Sequence, residues 1–322
     1  MKSVIVQEFG GPEVLSVEEV PVPAPGSGEV LIRVHAAGVN YADIMQRDGL
    51  YPGGPKPPYG AGFEVAGVVE SVGEGVTQWQ AGDPVMAFCA AGYSEFAVAK
   101  AWQVMPKPEQ LTHAQAAAVP CQYLTAYHAL LTLGGLTGQQ TVLIQAAAGG
   151  LGTQLVQIAR NTGATVIGTA STPEKCALIE SLGCQHAINY TEEDFAAAVQ
   201  RITGGQGCDL VIESVGGAVF DKSLKCLKPR GMLVTLGVAS KEPPTVNAVQ
   251  LLANNWIVAG FHLMAYTADA PAMACAIRDL HTWLMDAKLD IIVGHEFPLA
   301  DAASAHRQIS ARQTSGKVVL IP

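Results

Sequence analysis

The residues best suited to chemistry begin with the stretch Thr141-Val-Leu-Ile-Gln-Ala-Ala-Ala-Gly-Gly-Leu-Gly152. Residues 141–146 form an apolar run that reads as a short strand. A glycine-rich turn follows, and residues 151–160 continue with apolar positions at helical spacing. Strand, tight turn and helix start together make a pyrophosphate site. Gly149, Gly150 and Gly152 let the backbone approach the anion, and the first helical N–H groups, Leu151 among them, point partial positive charge at it. Against the G-x-G-x-x-G fingerprint the chain offers Ala147, Gly149 and Gly152, so the first glycine is replaced. The fingerprint alone is a weak signal, and the strand–turn–helix context carries the reading.

The residues after the second strand select the dinucleotide. In this kind of site an acid about 20 positions past the turn takes the adenosine ribose hydroxyls. Here the strand closes on Gly168-Thr169-Ala170-Ser171, with no carboxylate before Glu174. Ser171 offers a hydroxyl, Lys175 a cation one helical turn later, and Tyr190 a ring at the end of the next strand. That set suits a 2′-phosphate and so NADP(H). The plainer roles are a helix cap for Ser171 and a solvated surface position for Lys175.

Positioning such groups takes a parallel sheet, and the chain supplies its pattern. From about residue 112 short strands (141–146, 165–169, 187–189, 208–213, 231–236 and 257–261) alternate with helical segments. The spacing predicts βαβ crossovers and a doubly wound α/β sheet. Residues 1–110 read differently. Val-rich runs at 3–9, 30–35, 65–71, 84–88 and 93–98 are separated by Gly/Pro turns, which predicts a small rolled or barrel-like β domain. The Pro- and Gly-dense segment 51–62 reads as a loop over a cleft. A helix at 270–287 and strands ending in 318–321 are too short a tail for a core of their own. The expected division is therefore a β-rich domain of residues 1–121 and 266–322, with a Rossmann-type unit, 122–265, inserted in it.

Composition limits the function. With 49% apolar and 15% charged residues, 322 residues can fill two cores. No apolar run reaches the ~18 residues of a membrane span, and no signal peptide opens the chain, so a soluble cytoplasmic protein is expected. The net charge of −9 weighs against nucleic acid as a partner. Seven scattered cysteines without a C-x-x-C pair read as thiols in a reducing compartment. None of the eight histidines has ligand-like or triad spacing. Asp43 and Arg47, at i and i+4, read as a helix ion pair.

Gly38-Val-Asn40, Asp43, Arg47, Gly49, Tyr51, Gly62-Phe-Glu-Val-Ala-Gly67, Ala81-Gly-Asp83, the 146–152 turn and the closing segment 311–322 follow one another in the order of a known family. The chain resembles the zinc-independent quinone oxidoreductase (zeta-crystallin-like) branch of the medium-chain dehydrogenase/reductase superfamily, over essentially its full length. The resemblance implies a GroES-like β-rich catalytic domain around the Rossmann unit, and C2 homodimers. Zinc-bearing members hold Cys, His and a later Cys at positions that are here Asn40, Phe63 and Cys121. Phe63 cannot ligate and Asn40 is a poor ligand, so no metal is expected.

Without a Lewis acid the acceptor must already be electrophilic, a quinone or a C=C bond conjugated to a carbonyl. The resemblance puts Asn40 and Tyr51 in the acceptor pocket beside the nicotinamide, with Thr125 close by. It brings Gly237, Val238, Gly260 and Phe261 to the cofactor at strand ends, and Arg312 to the 2′-phosphate with Ser171, Lys175 and Tyr190. The resulting expectation is an NADPH-dependent quinone reductase. The alternatives are reduction of α,β-unsaturated carbonyls or acrylate-like acids, and a non-catalytic NADPH-binding protein of crystallin-like or RNA-binding type.

Overall fold

The computed structural model describes all 322 residues, Met1–Pro322, which fold as two compact units, Met1–Gln122 with Ile291–Pro322 and Tyr123–Asp290. The first unit contains β1 (Lys2–Val6), β2 (Leu15–Glu19), β3 (Glu29–Val39), β4 (Tyr59–Gly60), β5 (Glu64–Val72), β6 (Pro84–Phe88), β7 (Phe96–Lys100) and β8 (Val104–Pro106). The second contains β9 (Thr141–Ile144), β10 (Thr165–Ala170), β11 (His186–Asn189), β12 (Cys208–Glu213), β13 (Leu227–Thr235) and β14 (Ile257–Gly260). The chain returns to the first unit with β15 (Val293–Pro298) and β16 (Lys317–Ile321).

In the first unit the long β3 organises the sheet. Its first half pairs with β7, its last residues pair with β16, and β5 runs along its other edge. The seven-stranded sheet has the order β15-β16-β3-β5-β6-β8, with β7 attached to β3, and a smaller sheet is ordered β2-β1-β4. Register shifts between β3 and β5 curl the sheet around a core of Val, Ala and Ile that includes Val30, Ile32, Val65, Val85 and Leu320. Strands β2, β4 and the three-residue β8 lie outside the runs expected from sequence. Leu15–Glu19 alternates too weakly to announce itself, and Tyr59–Gly60 is two residues long.

In the second unit six parallel strands are ordered β11-β10-β9-β12-β13-β14. This is the doubly wound arrangement read from the alternation, and its order reverses at β9, where ligands bind such sheets. The Gly150–Thr162 helix follows β9 and is buried from Gly152 to Ala159.

The second junction falls at 290/291, beyond the expected 265/266. The Ala270–Met285 helix docks on the second unit. The Tyr123 hydroxyl donates to the Ala276 carbonyl at 2.8 Å, the Tyr127 hydroxyl donates to Asp279 at 2.7 Å, and Trp283 packs against both rings. Gln157 then clamps the backbone of Asp290 through both its amide groups. The helix has found its core in the inserted unit, which a tally of tail length could not reveal.

Candidate active site

The candidate dinucleotide site of the second unit lies at the carboxyl ends of the parallel strands. Ala146 turns the chain out of β9 with φ of 53°, and Gly149 caps the Gly150–Thr162 helix in an extended conformation. The N–H groups of Gly150, Leu151 and Gly152 occupy the first turn of a 13-residue helix, the end whose partial positive charge favours an anion. Gly152 is dictated by space, since a Cβ there would stand 2.4 Å from the carbonyl oxygens of both Ala146 and Ala147. The alanine in place of the first fingerprint glycine is accommodated by the strand beside it. A Cβ on Gly168 would meet the Ala147 methyl at 3.0 Å, so the missing side chain has moved from the turn to β10.

Pairing of β10 with β11 puts Ala170 opposite Asn189, so Ser171 and Tyr190 leave adjacent strand ends. The Tyr190 N–H donates to Ala170 at 3.1 Å, and the Thr191 hydroxyl donates to the Ser171 carbonyl at 3.4 Å. Ser171 does not cap the next helix. Thr172 does so, accepting from the Lys175 N–H, and this leaves Ser171 for another use. Lys175 is half-buried in the helix's first turn, and desolvation holds its ammonium below the ordinary lysine range. Ser171 and Tyr190 are thus brought to adjacent strand ends, with Lys175 in the first turn of the helix that follows Ser171.

At the far side of the switch point, Gly237 and Val238 follow β13, while Gly260 ends β14, which pairs with it, and Phe261 comes next in the chain. A Cβ on Gly237 would lie 3.0 Å from the Ser214 carbonyl. Gly260 has nothing within 4 Å of a Cβ position. Phe261 is buried and stacks on Tyr266 at 4.9 Å between centroids, which gives it a packing role in addition to any other. Thr125 is half-buried in the Leu124–Tyr127 helix. Arg312 belongs to the other unit, exposed after the Ala302–Ser310 helix with φ of 58°.

In the first unit, Asn40 follows β3 and caps the Tyr41–Arg47 helix. Its buried amide is locked. The Lys317 ammonium donates to Oδ1 at 2.9 Å, and Nδ2 donates to Glu64 at 2.5 Å. Lys317 also pairs with Glu64 at 2.5 Å, and the other Glu64 oxygen accepts from the Cys121 N–H at 2.8 Å. Lys317 and Glu64 are almost wholly buried, at 1% and 0% exposed. Gly38 is required beneath them, because a Cβ would meet Glu64 and the Ala117 carbonyl at 2.4 and 2.3 Å. Sequence reasoning assigned no role to Lys317 or Glu64. Their signal is a lysine and a glutamate in otherwise apolar strands, where an unpaired charge could not remain.

The Asp43–Arg47 ion pair expected from spacing does not form. Asp43 turns back to accept from the Asn40 N–H at 2.8 Å and from the Tyr93 hydroxyl at 2.9 Å, which satisfies the helix start. Arg47 instead pairs with Asp48 at 2.5 Å and donates to the Gly10 carbonyl at 3.0 Å and to His306 Nδ1 at 3.1 Å. Since the guanidinium only donates, His306 Nδ1 accepts, and its Nε2–H donates to the Tyr93 oxygen at 3.3 Å. Burial, with Arg47 adding to it, holds His306 neutral, its pKa lowered to about 3. Burial raises Asp43 to about 7 against the lowering effect of the Asn40 and Tyr93 hydrogen bonds. Tyr51 is also shifted upward, chiefly by desolvation and further by Cys121 and Asp43, so its hydroxyl stays a donor.

These residues do not fit a metal ion. Phe63 has no ligating atom, Asn40 Oδ1 already receives the Lys317 ammonium, and that fixed cation repels another. No group of three or more His, Cys, Asp or Glu converges elsewhere.

Residues 26–109 match the alcohol dehydrogenase GroES-like domain family, and residues 150–278 match the family described as zinc-binding dehydrogenase. A 2-haloacrylate reductase from Burkholderia is 38% identical over 99% of this chain and 98% of its own. A Pseudomonas aeruginosa quinone oxidoreductase is 37% identical over 98% and 97%. The crystal structure of Escherichia coli quinone oxidoreductase complexed with NADPH covers both chains fully, with a TM-score of 0.96 at 33% identity.

Proposed function

Because this chain belongs to the zinc-independent quinone oxidoreductase branch of the medium-chain dehydrogenase/reductase superfamily, we propose that it is an NADPH-dependent quinone reductase. The observation that carries the cofactor choice is the strand-end cluster of Ser171, Lys175 and Tyr190, with Glu174 the first carboxylate after the strand. NADPH, when bound, supplies the hydride. The first-turn N–H groups of Gly150, Leu151 and Gly152 hold its pyrophosphate. Ser171, Lys175 and Tyr190 take the 2′-phosphate, with Arg312 as a further cation, and Thr125, Gly237, Val238, Gly260 and Phe261 shape the nicotinamide end. Asn40 and Tyr51 serve the acceptor. The second Nδ2–H of Asn40 and the Tyr51 hydroxyl donate to the oxygen on which negative charge develops, a role that suits groups held in place beforehand. Lys317 and Glu64 are positioning residues that fix the Asn40 amide.

A second reading is favoured by the Burkholderia relative, reduction of conjugated acrylate-like acids. Cofactor oxidation followed by absorbance, NADPH against NADH, across quinones, enones and acrylates with a chelator present throughout, separates the two. Chelator-resistant NADPH turnover with quinones is expected. Turnover confined to acrylates moves the chain to the second reading, and tight NADPH binding without any turnover leaves a non-catalytic binding protein.

The assembly we propose is a C2 homodimer formed at β14, the outermost strand of the parallel sheet. The neighbouring Ala248–Asn254 helix presents Val249 at 71% and Leu252 at 78% exposure, and Ile257 is exposed on the strand itself. A monomer mass by light scattering at micromolar concentration removes that proposal. The location we propose is the cytoplasm, in keeping with seven cysteines that are all free thiols. No helix is long and apolar enough to cross a membrane. With a net charge of −9, nucleic acid is not among the proposed partners.

A further inference from the structure

The first unit contains a hollow of ≈ 510 Å³ whose lining includes Phe9, Gln46, Tyr51, Pro55, Lys56 and Pro57. That volume falls in the ordinary range of small-molecule sites, about 300–1,000 Å³. Its apolar wall is built in. Phe9 is 48% exposed, and its ring rests against Gly49, where a Cβ would lie 3.0 Å from the ring. An aromatic ring left half-uncovered beside two prolines offers a flat surface to a planar conjugated acceptor.

Lys56 is the one charged group in this lining. Lys100, Lys222, Lys228, Lys288 and Lys317 each pair with a carboxylate, whereas Lys56, like Lys2 and Lys225 on the surface elsewhere, is exposed and its ammonium makes neither an ion pair nor a hydrogen bond. A neutral quinone gives such a cation nothing to neutralise. A carboxylate attached to the acceptor does, and in a chain of net charge −9 an unpaired ammonium is a local exception to the repulsion an anion meets.

We propose that Lys56 makes this hollow selective for planar acceptors that carry a carboxylate next to the reducible conjugated system. The ammonium holds the carboxylate, Phe9 and the prolines hold the plane, and Tyr51 faces the acceptor's carbonyl oxygen. This rests on the reading of Tyr51 as an acceptor-side group, and it makes quinone and acrylate reduction two uses of one hollow.

The test compares a naphthoquinone bearing a carboxylate with its methyl ester in the wild type, Lys56→Met and Lys56→Arg. Turnover with NADPH and equilibrium binding by dialysis are both measured. Lys56 is on an exposed loop away from either core, so neither variant threatens folding. The wild type is expected to bind the acid about tenfold more tightly than the ester, by one charge-assisted hydrogen bond. Lys56→Met should lose that preference, Lys56→Arg should keep it, and rising ionic strength should shrink it. An acid-over-ester preference that is absent from the wild type, or unchanged in Lys56→Met, overturns the proposal. If the binding preference depends on Lys56 but neither compound is reduced, the quinone reductase reading fails while the carboxylate site stands. If both are reduced with equal affinity, the reverse holds.

Discussion

The two units build their candidate site groups from different materials. In the Tyr123–Asp290 unit the pyrophosphate site is backbone, a turn and the first N–H groups of the Gly150–Thr162 helix within a dozen residues. In the other unit the groups around Asn40 are side chains gathered from far apart, Glu64 from β5, Cys121 beyond β8 and Lys317 from the last strand, 277 positions from Asn40. A backbone site needs only local sequence and the absence of side chains. A side-chain site inside a β domain needs the whole sheet to close before any of its charges has a partner.

That contrast can be broken first at Lys317. Lys317→Met leaves the Glu64 carboxylate buried without its cation, a loss on the order of 3–5 kcal/mol. The expected result is a large drop in thermal midpoint, with much of it restored when Glu64→Gln is added. A midpoint unchanged by Lys317→Met would mean that the pair is not closed in the protein. In the backbone half the largest expected effect is smaller. Gly152→Ala forces two carbonyls to move from a Cβ at 2.4 Å, which costs about 1–3 kcal/mol. It should weaken NADPH and NADH together, because both share the pyrophosphate.

The Asp43–Tyr93–His306 chain predicts an uncommon pH profile. Asp43, raised to about 7, adds stability that is full below its unfolded pKa of about 4 and is lost as pH rises through 7. His306, lowered to about 3, acts the opposite way, adding stability above about 6.5 that is lost as pH falls toward 3. Between about 4 and 6.5 the two oppose one another. Urea unfolding of Asp43→Asn across this range should therefore show stability rising with pH more steeply than in the wild type. Parallel profiles would place the proton elsewhere.

The smallest effects belong to the cations of the 2′-phosphate. Lys175→Ala and Arg312→Ala should each weaken NADPH about tenfold, the worth of one charge-assisted contact, and leave NADH nearly unchanged. Equal loss of both cofactors would remove these residues from the phosphate.

The legibility of the chain follows the same line. The parallel strands were legible within a few residues, because each is a local apolar run followed by a helix that must cover it. The 208–213 strand was read to the residue, and the 141–146 strand ends two residues early at Ile144. The Asp43–Arg47 pairing that the spacing predicts does not form, for a physical reason. Spacing along a helix says which side chains are neighbours, but an acid in the first turn has a stronger claim from the free backbone N–H, and Tyr93 lies within reach only after β3 and β7 have folded together.

The sequence alone determined the parallel sheet, the glycine turn and the lack of a carboxylate between Ala170 and Glu174. These are consequences of side-chain size, backbone freedom and period, all of them local. Tertiary structure alone decided that Lys317 sits beside Asn40, that His306 is neutral between Arg47 and Tyr93, that the 270–285 helix belongs to the inserted unit, and that Lys56 faces a hollow unpaired. Charges in an interior are fixed by which partner arrives, and no spacing along a chain records which strand will close the sheet.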